Sequence, residues 1–343
     1  MRHFSLIPWV RKFYTWSLQW KHDSLDFERH IYRQSFSCYN WLTNEQLEEH
    51  CPLDNGRHDC TPISTGFATS QLDRLPVELV IEILLLLDIP SLTRFRRLNR
   101  RAMQLVNSIR QYAAIIQHCP YIIRVIISIQ ADAFDCATLY RTLCTTRCST
   151  CNRFGDRLYL IVCRRVCYFC FTNRPEYFTI KSEEVYELFI SNAKPQYDRT
   201  KFFTLAKPPS ILCLSGPYPD GDWRRESYRW RFRLYDRQAV VQSLVGSGLE
   251  LADDTTGESH KFKYKAAITA PVLLNGGQQV EYGFKCRGCM NEGDEKTMHY
   301  KIRYTTEEFP EHIARYGRIV ERDSDYPGLF VHVKSASYKG PVS

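Results

Sequence analysis

Leu72-Asp73-Arg74-Leu75-Pro76-Val77-Glu78-Leu79-Val80-Ile81-Glu82-Ile83-Leu84-Leu85-Leu86-Leu87-Asp88-Ile89-Pro90-Ser91 is the stretch on which the fold of this 343-residue chain turns. Pro76 has a preset φ and lacks an N–H that a first helical turn would leave unused, so a helix is expected to begin there and run to Leu87. Apart from Glu78 and Glu82 it is apolar on nearly every face, so it must be covered on more than one side. Asp88-Ile89-Pro90-Ser91 stops it and caps a second helix. There Leu92, Phe95 and Leu98 recur at i, i+3, i+6, with Arg94, Arg96 and Arg97 directed away. Asn99 is placed to cap a third, with Ala102, Leu105 and Val106 inward. Three short helices over about 40 residues are marginal alone. Their surplus of apolar surface predicts a partner that covers it.

Outward from this triplet the chain reads as a folded protein, with 44% hydrophobic and 24% charged residues, long enough for two or three compact units. Residues 1–70 read as an irregular N-terminal region, with one short helix at Leu42–His50 and a linker at Cys51–Ser70. Met1–His22 carries Arg2, Arg11, Lys12 and Lys21 without an acid, but Pro8, Trp9, Trp16 and Trp20 fit a transit peptide poorly. Leu79–Leu87 is broken by Glu82 and Tyr121–Ile129 by Arg124, both far short of the roughly 20 apolar residues a span needs. No membrane partner is therefore expected. Beyond residue 113 the pattern mixes strand-like runs (Leu158–Val162, Tyr228–Tyr235, Lys261–Ala267), a turn at Leu274–Gly277 and a short amphipathic helix at Glu183–Ile190. The fold class is α+β.

The chain has 14 cysteines, and their distribution decides how they are read. Cys148, Cys151, Cys163, Cys167 and Cys170 crowd together, which favours metal ligation in a reducing cytoplasm and/or nucleus over disulfides spread along a secreted chain. Cys148-x2-Cys151 and Cys167-x2-Cys170 form C-x2-C-x15-C-x2-C, the spacing of a structural Zn²⁺ site. Four thiolates close a tetrahedron and leave no position for water. The first zinc module thus spans about 143–180. Cys163 is expected to be a free buried thiol, with replacement of Cys167 as ligand the alternative. A second candidate, around 284–316, has Cys286-x2-Cys289 and His312, completed by another residue. Cys38, Cys51, Cys60, Cys119, Cys136, Cys144 and Cys213 read as small buried hydrophobes.

The run from Leu72 to Leu79, with Leu75-Pro76-x-Glu78-Leu79 inside it, resembles the opening of an F-box. The match continues without a gap through Ile83, Leu87, Asp88, Pro90, Leu92, Arg97, Leu98 and Arg101. Ala102 departs from it, standing where many F-boxes carry an aromatic residue. The resemblance implies a three-helix F-box at 71–113 that docks on a Skp-type adaptor of a cullin complex. In it Leu75, Pro76, Leu79, Ile83, Leu92 and Leu98 would face the adaptor. It implies a substrate-recognition subunit, not an enzyme, whose region 114–343 presents an unknown target protein for ubiquitination. Leu143–Cys170, Leu214-Ser-Gly-Pro-Tyr218 and Phe309-Pro-Glu-His312-Ile313 are similar to a group of F-box proteins from filamentous fungi. That likeness implies a cysteine four positions after His312. Tyr316 stands there instead, so either His299 completes the second site or the site is degenerate.

The alternative reading is a zinc-dependent nucleic-acid binder. Arg164-Arg165 lies between the knuckles, and Trp223–Arg233 interleaves cations with aromatics as a strand-tracking surface would. The same alternation describes a half-exposed strand with Tyr228, Trp230, Phe232 and Leu234 inward. That reading is preferred, and nucleic acid is not expected as a partner. No P-loop, dinucleotide fingerprint, nucleophile elbow or H-E-x-x-H is present.

Overall fold

The computed structural model describes residues 24–33, 47, 51, 74–185, 203–204, 206–214, 216–219, 225–228, 231–246, 258–292, 299–322 and 328–333. They fall into two compact units, one from 36–282 and a smaller one from 1–35 with 283–343. Among its described residues the smaller has first helix α1 (Ser24–His30), which runs directly into strand β1 (Ile31–Tyr32).

In the larger unit α2 (Val77–Leu85) starts one residue later than expected. Pro76 is extended (φ −53°, ψ 141°), and its carbonyl receives the Val80 amide at 3.2 Å. The helix also stops earlier, with Leu86 and Leu87 donating to the Ile83 and Leu84 carbonyls in a tightened last turn. Asp88 caps α3 (Ile89–Arg96) by accepting the Ser91 amide at 2.7 Å. Asn99 caps α4 (Arg100–Ser108) through the Ala102 amide at 2.8 Å. Then follow α5 (Arg110–His118), α6 (Pro120–Ser128) and α7 (Cys136–Cys144), the last capped by Asp135.

The expected strand at Leu158–Val162 is shorter. Strand β2 (Arg157–Tyr159) turns through Leu160–Cys163 into β3 (Arg164–Val166). The turn is closed by Cys163 at a left-handed φ of 53°. Next come α8 (Tyr168–Asn173), β4 (Thr179–Lys181), β5 (Ser210–Leu212), β6 (Gly216–Pro219), β7 (Arg225–Tyr228), β8 (Arg233–Asp236) and α9 (Arg237–Gly246). The run Tyr228–Tyr235 is therefore two strands, not one. Between them Arg231 turns onto the Ser128 carbonyl at 2.7 Å. β8 lies between β4 and β5, while β6 and β7 pair as a hairpin. Of the helices expected at Glu183–Ile190 and Leu42–His50, residues 186–190 and most of 42–50 lie outside the described residues.

Lys261–Ala267 is a 3-10 helix up to Ala266, not a strand. Its cation–aromatic alternation is turned inward: Lys263 donates to the Thr172 carbonyl, and Lys265 sits 4.4 Å from the Phe232 ring centre. β9 (Ala267–Thr269) then joins β2 to form the sheet β3-β2-β9. β10 (Val272–Leu274) and β11 (Gln279–Glu281) form a hairpin whose turn carries Asn275, Gly276 and Gly277, all at positive φ. One hydrophobic core runs from Val80 and Leu84 through Ile115, Ile122 and Leu139 to Leu158, Phe171 and Ile268. Packing therefore continues across residue 113, from the helical triplet into the cysteine-rich region.

In the smaller unit β12 (Lys285–Cys286) pairs with β1, placing Ile31 opposite Cys286. α10 (Arg287–Glu292) follows, then α11 (Phe309–Tyr316), β13 (Arg318–Glu321) and β14 (Phe330–Val333), the last two antiparallel. Thr305 and Glu308 exchange side-chain-to-amide bonds ahead of α11, a capping box. Ile31, Phe284, Phe309, Ile319 and Phe330 make the core.

Candidate docking face and metal centres

On α2, Val80 and Leu84 face the core, whereas Leu79, Ile83 and Leu86 recur at i, i+4, i+7 on the opposite side. These three are 52%, 45% and 70% exposed, and Leu75 and Leu98 are exposed too, at 40% and 71%. Pro76 is exposed beside them. Leu92 does not belong to this row. It is fully buried, packed in the core from the inner side of α3. The face read as Leu92, Phe95 and Leu98 breaks because α3 ends at Arg96, so Leu98 no longer follows the helical phase. Arg96, expected outside, is buried and donates through Nε to Asn107 Oδ1 at 2.9 Å.

The first cysteine cluster is assembled by the β2–β3 hairpin, which returns the chain so that Cys148, Cys151, Cys167 and Cys170 converge. The Cys151 and Cys167 sulfurs are 3.5 Å apart, and Cys167 Sγ accepts the Cys170 amide as α8 begins. The Cys148 thiol is held down at about 4, chiefly by its hydrogen bond with Cys167, whose own thiol is pushed up. Cys163 lies outside the cluster, and burial pushes its thiol up to about 12. Arg165, between the knuckles, is 2% exposed and aims all its donors at carbonyls. Nε reaches Thr142, Nη1 reaches Gly155 and Ala270, and Nη2 reaches Leu143 and Pro271. A phosphate backbone could not approach it. Arg233 is likewise engaged, with Ser210 Oγ at 2.9 Å.

The second cluster unites Cys286, Cys289 and His312 with His332. His299 is not its fourth member: its Nε2 instead meets the Tyr316 hydroxyl at 3.3 Å. His332 Nε2 lies 3.2 Å from Cys286 Sγ, 3.4 Å from Cys289 Sγ and 3.3 Å from His312 Nε2, and Cys289 Sγ is 3.6 Å from His312 Nε2. A tetrahedral zinc with Zn–S of about 2.3 Å and Zn–N of about 2.0–2.1 Å implies neighbouring donors roughly 3.3–3.8 Å apart. Both donor sets, four sulfurs and two sulfurs with two imidazoles, therefore fit a metal ion such as zinc. The Cys286 thiol is held down at about 3, first by its bond with Cys289 and then by both imidazoles, against burial.

Among known families, the model of the F-box domain matches residues 72–113. Residues 72–113 are an F-box domain. No curated protein and no solved structure matches it. F-box domains typically bind a Skp-type adaptor within cullin ubiquitin ligases and generally act as non-enzymatic adaptors, so the domain supports a ubiquitin-ligase adaptor role. The F-box here is α2, α3 and α4, with the exposed leucine row on its first helix. Among the described residues no helix is long and apolar enough to cross a membrane.

Two features of the chain were missed by its sequence pattern. Leu86 extends the exposed row, and its i+7 spacing from Leu79 was available as a signal. His332 was hidden because it follows His312 by 20 positions in a strand, where no fixed knuckle spacing applies.

Proposed function

We propose that this chain is a substrate-recognition subunit of a cullin ubiquitin ligase. Its F-box docks on the Skp-type adaptor through Leu75, Pro76, Leu79, Ile83, Leu86 and Leu98, and the region after residue 113 presents a target protein. The observation that carries this reading is the row of exposed leucine and isoleucine side chains on α2, on a helix whose other side is already satisfied by the core. Monomers rarely leave such contiguous apolar surface uncovered. Tethering would accelerate ubiquitin transfer by raising the local concentration of the target, with no chemistry in this chain.

The Cys148, Cys151, Cys167 and Cys170 cluster holds a structural zinc in this reading. Such an ion contributes roughly 10–16 kcal/mol to folding. Here it would fix the knuckles against the core that the F-box shares. None of the described cysteines is in a disulfide, which agrees with a cytoplasmic and/or nuclear setting.

The test is capture of the adaptor by the purified full chain. The parent protein should co-purify with a Skp-type adaptor, and Leu79→Arg should abolish capture while leaving thermal stability within about 1 kcal/mol, because Leu79 is on the surface. Equal capture by both proteins would sink the proposal.

A further inference from the structure

We propose that Cys286, Cys289, His312 and His332 bind one divalent ion, zinc by the chemistry of the donors, and that this ion clasps the N-terminal segment 24–33 onto the C-terminal module. The inference is independent of the F-box reading.

The four ligands come from four elements, β12, α10, α11 and β14, yet their donor atoms all lie within 4.8 Å of one another. The surroundings are shaped for His332 in particular. Its Nδ1 faces the Gly317 carbonyl at 2.9 Å, which fixes that nitrogen as the donor and leaves the Nε2 lone pair directed at the sulfurs. Gly288, inside the Cys286–Cys289 knuckle, is where the ring packs. A Cβ there would come within 2.8 Å of His332 Cδ2 and 2.9 Å of Nε2. Any larger residue at 288 would push the imidazole off the cluster. His312 is 4% exposed, and its ring stacks on Phe309 at 5.5 Å.

The N-terminal segment touches the elements that carry these ligands. Ile31 pairs with Cys286 itself. Phe27 packs edge-on against Phe284 at 5.4 Å and against Phe309 at 5.7 Å, and Phe309 is the residue stacked on His312. His30 meets Phe330, two positions from His332 in the same strand. Among the described residues the buried core here is Ile31, Phe284, Cys286, Cys289, Phe309, Ile319 and Phe330, so two of its members are ligands and one comes from the segment. With so few buried side chains among the described residues, a metal cross-link would carry much of what holds these elements together. Losing the ion should therefore release residues 24–33.

Metal analysis and hydrogen–deuterium exchange on the full chain test both halves. His332→Ala should lose one equivalent of zinc relative to the parent and accelerate exchange of residues 24–33 roughly tenfold or more. His299→Ala should lose none. His332→Cys, which restores a ligand, should recover the zinc and the protection, separating ligation from misfolding. Gly288→Ala should behave like His332→Ala. Cobalt in place of zinc should give the visible d–d bands of a tetrahedral site, diminished by one site in His332→Ala. An unchanged zinc content in His332→Ala would overturn the ligand assignment. Loss of one zinc with undiminished protection of 24–33 would overturn the clasp.

Discussion

Arg165 shows how one residue can invert a functional reading. In the sequence it is half of a basic pair between zinc knuckles, which invites a phosphate. In the fold its guanidinium is enclosed, and burial lowers its pKa only to about 10, so it stays charged. Five hydrogen bonds to main-chain carbonyls replace its water, two of them at the C-terminal end of α7, where the helix dipole favours a cation. Gly155 makes room for it, since a Cβ there would sit 2.5 Å from Arg165 Cγ. Arg165→Lys is expected to destabilise the protein by more than about 3 kcal/mol, because a lysine cannot serve five acceptors and leaves buried carbonyls unpaired. Urea denaturation measures it, and a loss under about 1 kcal/mol would refute the clamp. Burial of this arginine was not legible because the chain alone does not reveal that carbonyls from 142–143, 155 and 270–271 converge. Cysteine spacing was legible because a knuckle is a local object.

At the scale of elements, the F-box helices were read from caps and periodicity, and these signals are local too. Asp88 and Asn99 cap where expected, and Ala102, Leu105 and Val106 turn inward. The failures fall where an element ends. Leu98 lies past the C-cap of α3 and leaves the face that periodicity gave it with Leu92, and Leu92, which the resemblance set toward the adaptor, is buried. Two leucines in one domain should therefore behave in opposite ways. Leu92→Ala should cost about 2–5 kcal/mol through a cavity, whereas Leu79→Arg should spare stability and cost adaptor capture. A Leu92→Ala protein as stable as the parent by calorimetry would contradict the packing. The basic–aromatic run at 261–267 misled for a related reason. Alternation normally signals a strand with a wet side, but Lys263 and Lys265 are buried against carbonyl and ring faces.

For the whole molecule, the continuity of the larger unit's core would tie the proposed zinc to the proposed docking. Leu84 of the F-box and Leu158, Cys167 and Phe171 of the knuckle region belong to one packed cluster. Removing metal with a strong chelator should therefore lower the unfolding temperature of that unit by well over about 10 °C and abolish adaptor capture, although no F-box residue is a ligand. Capture that survives complete zinc removal would show the F-box to be autonomous. The smaller unit has a different dependence, because its two parts bracket everything else: Ile31 finds its partner at Cys286, and the last ligand is His332. A ribosome delivers Ile31 long before it delivers Cys286 and His332. The larger unit can fold while synthesis continues, whereas the bracketing unit must wait until β14 has left the exit tunnel. A nascent chain stalled short of residue 332 would then emerge with its docking helix formed and its N-terminal segment still loose, open to quality-control proteases.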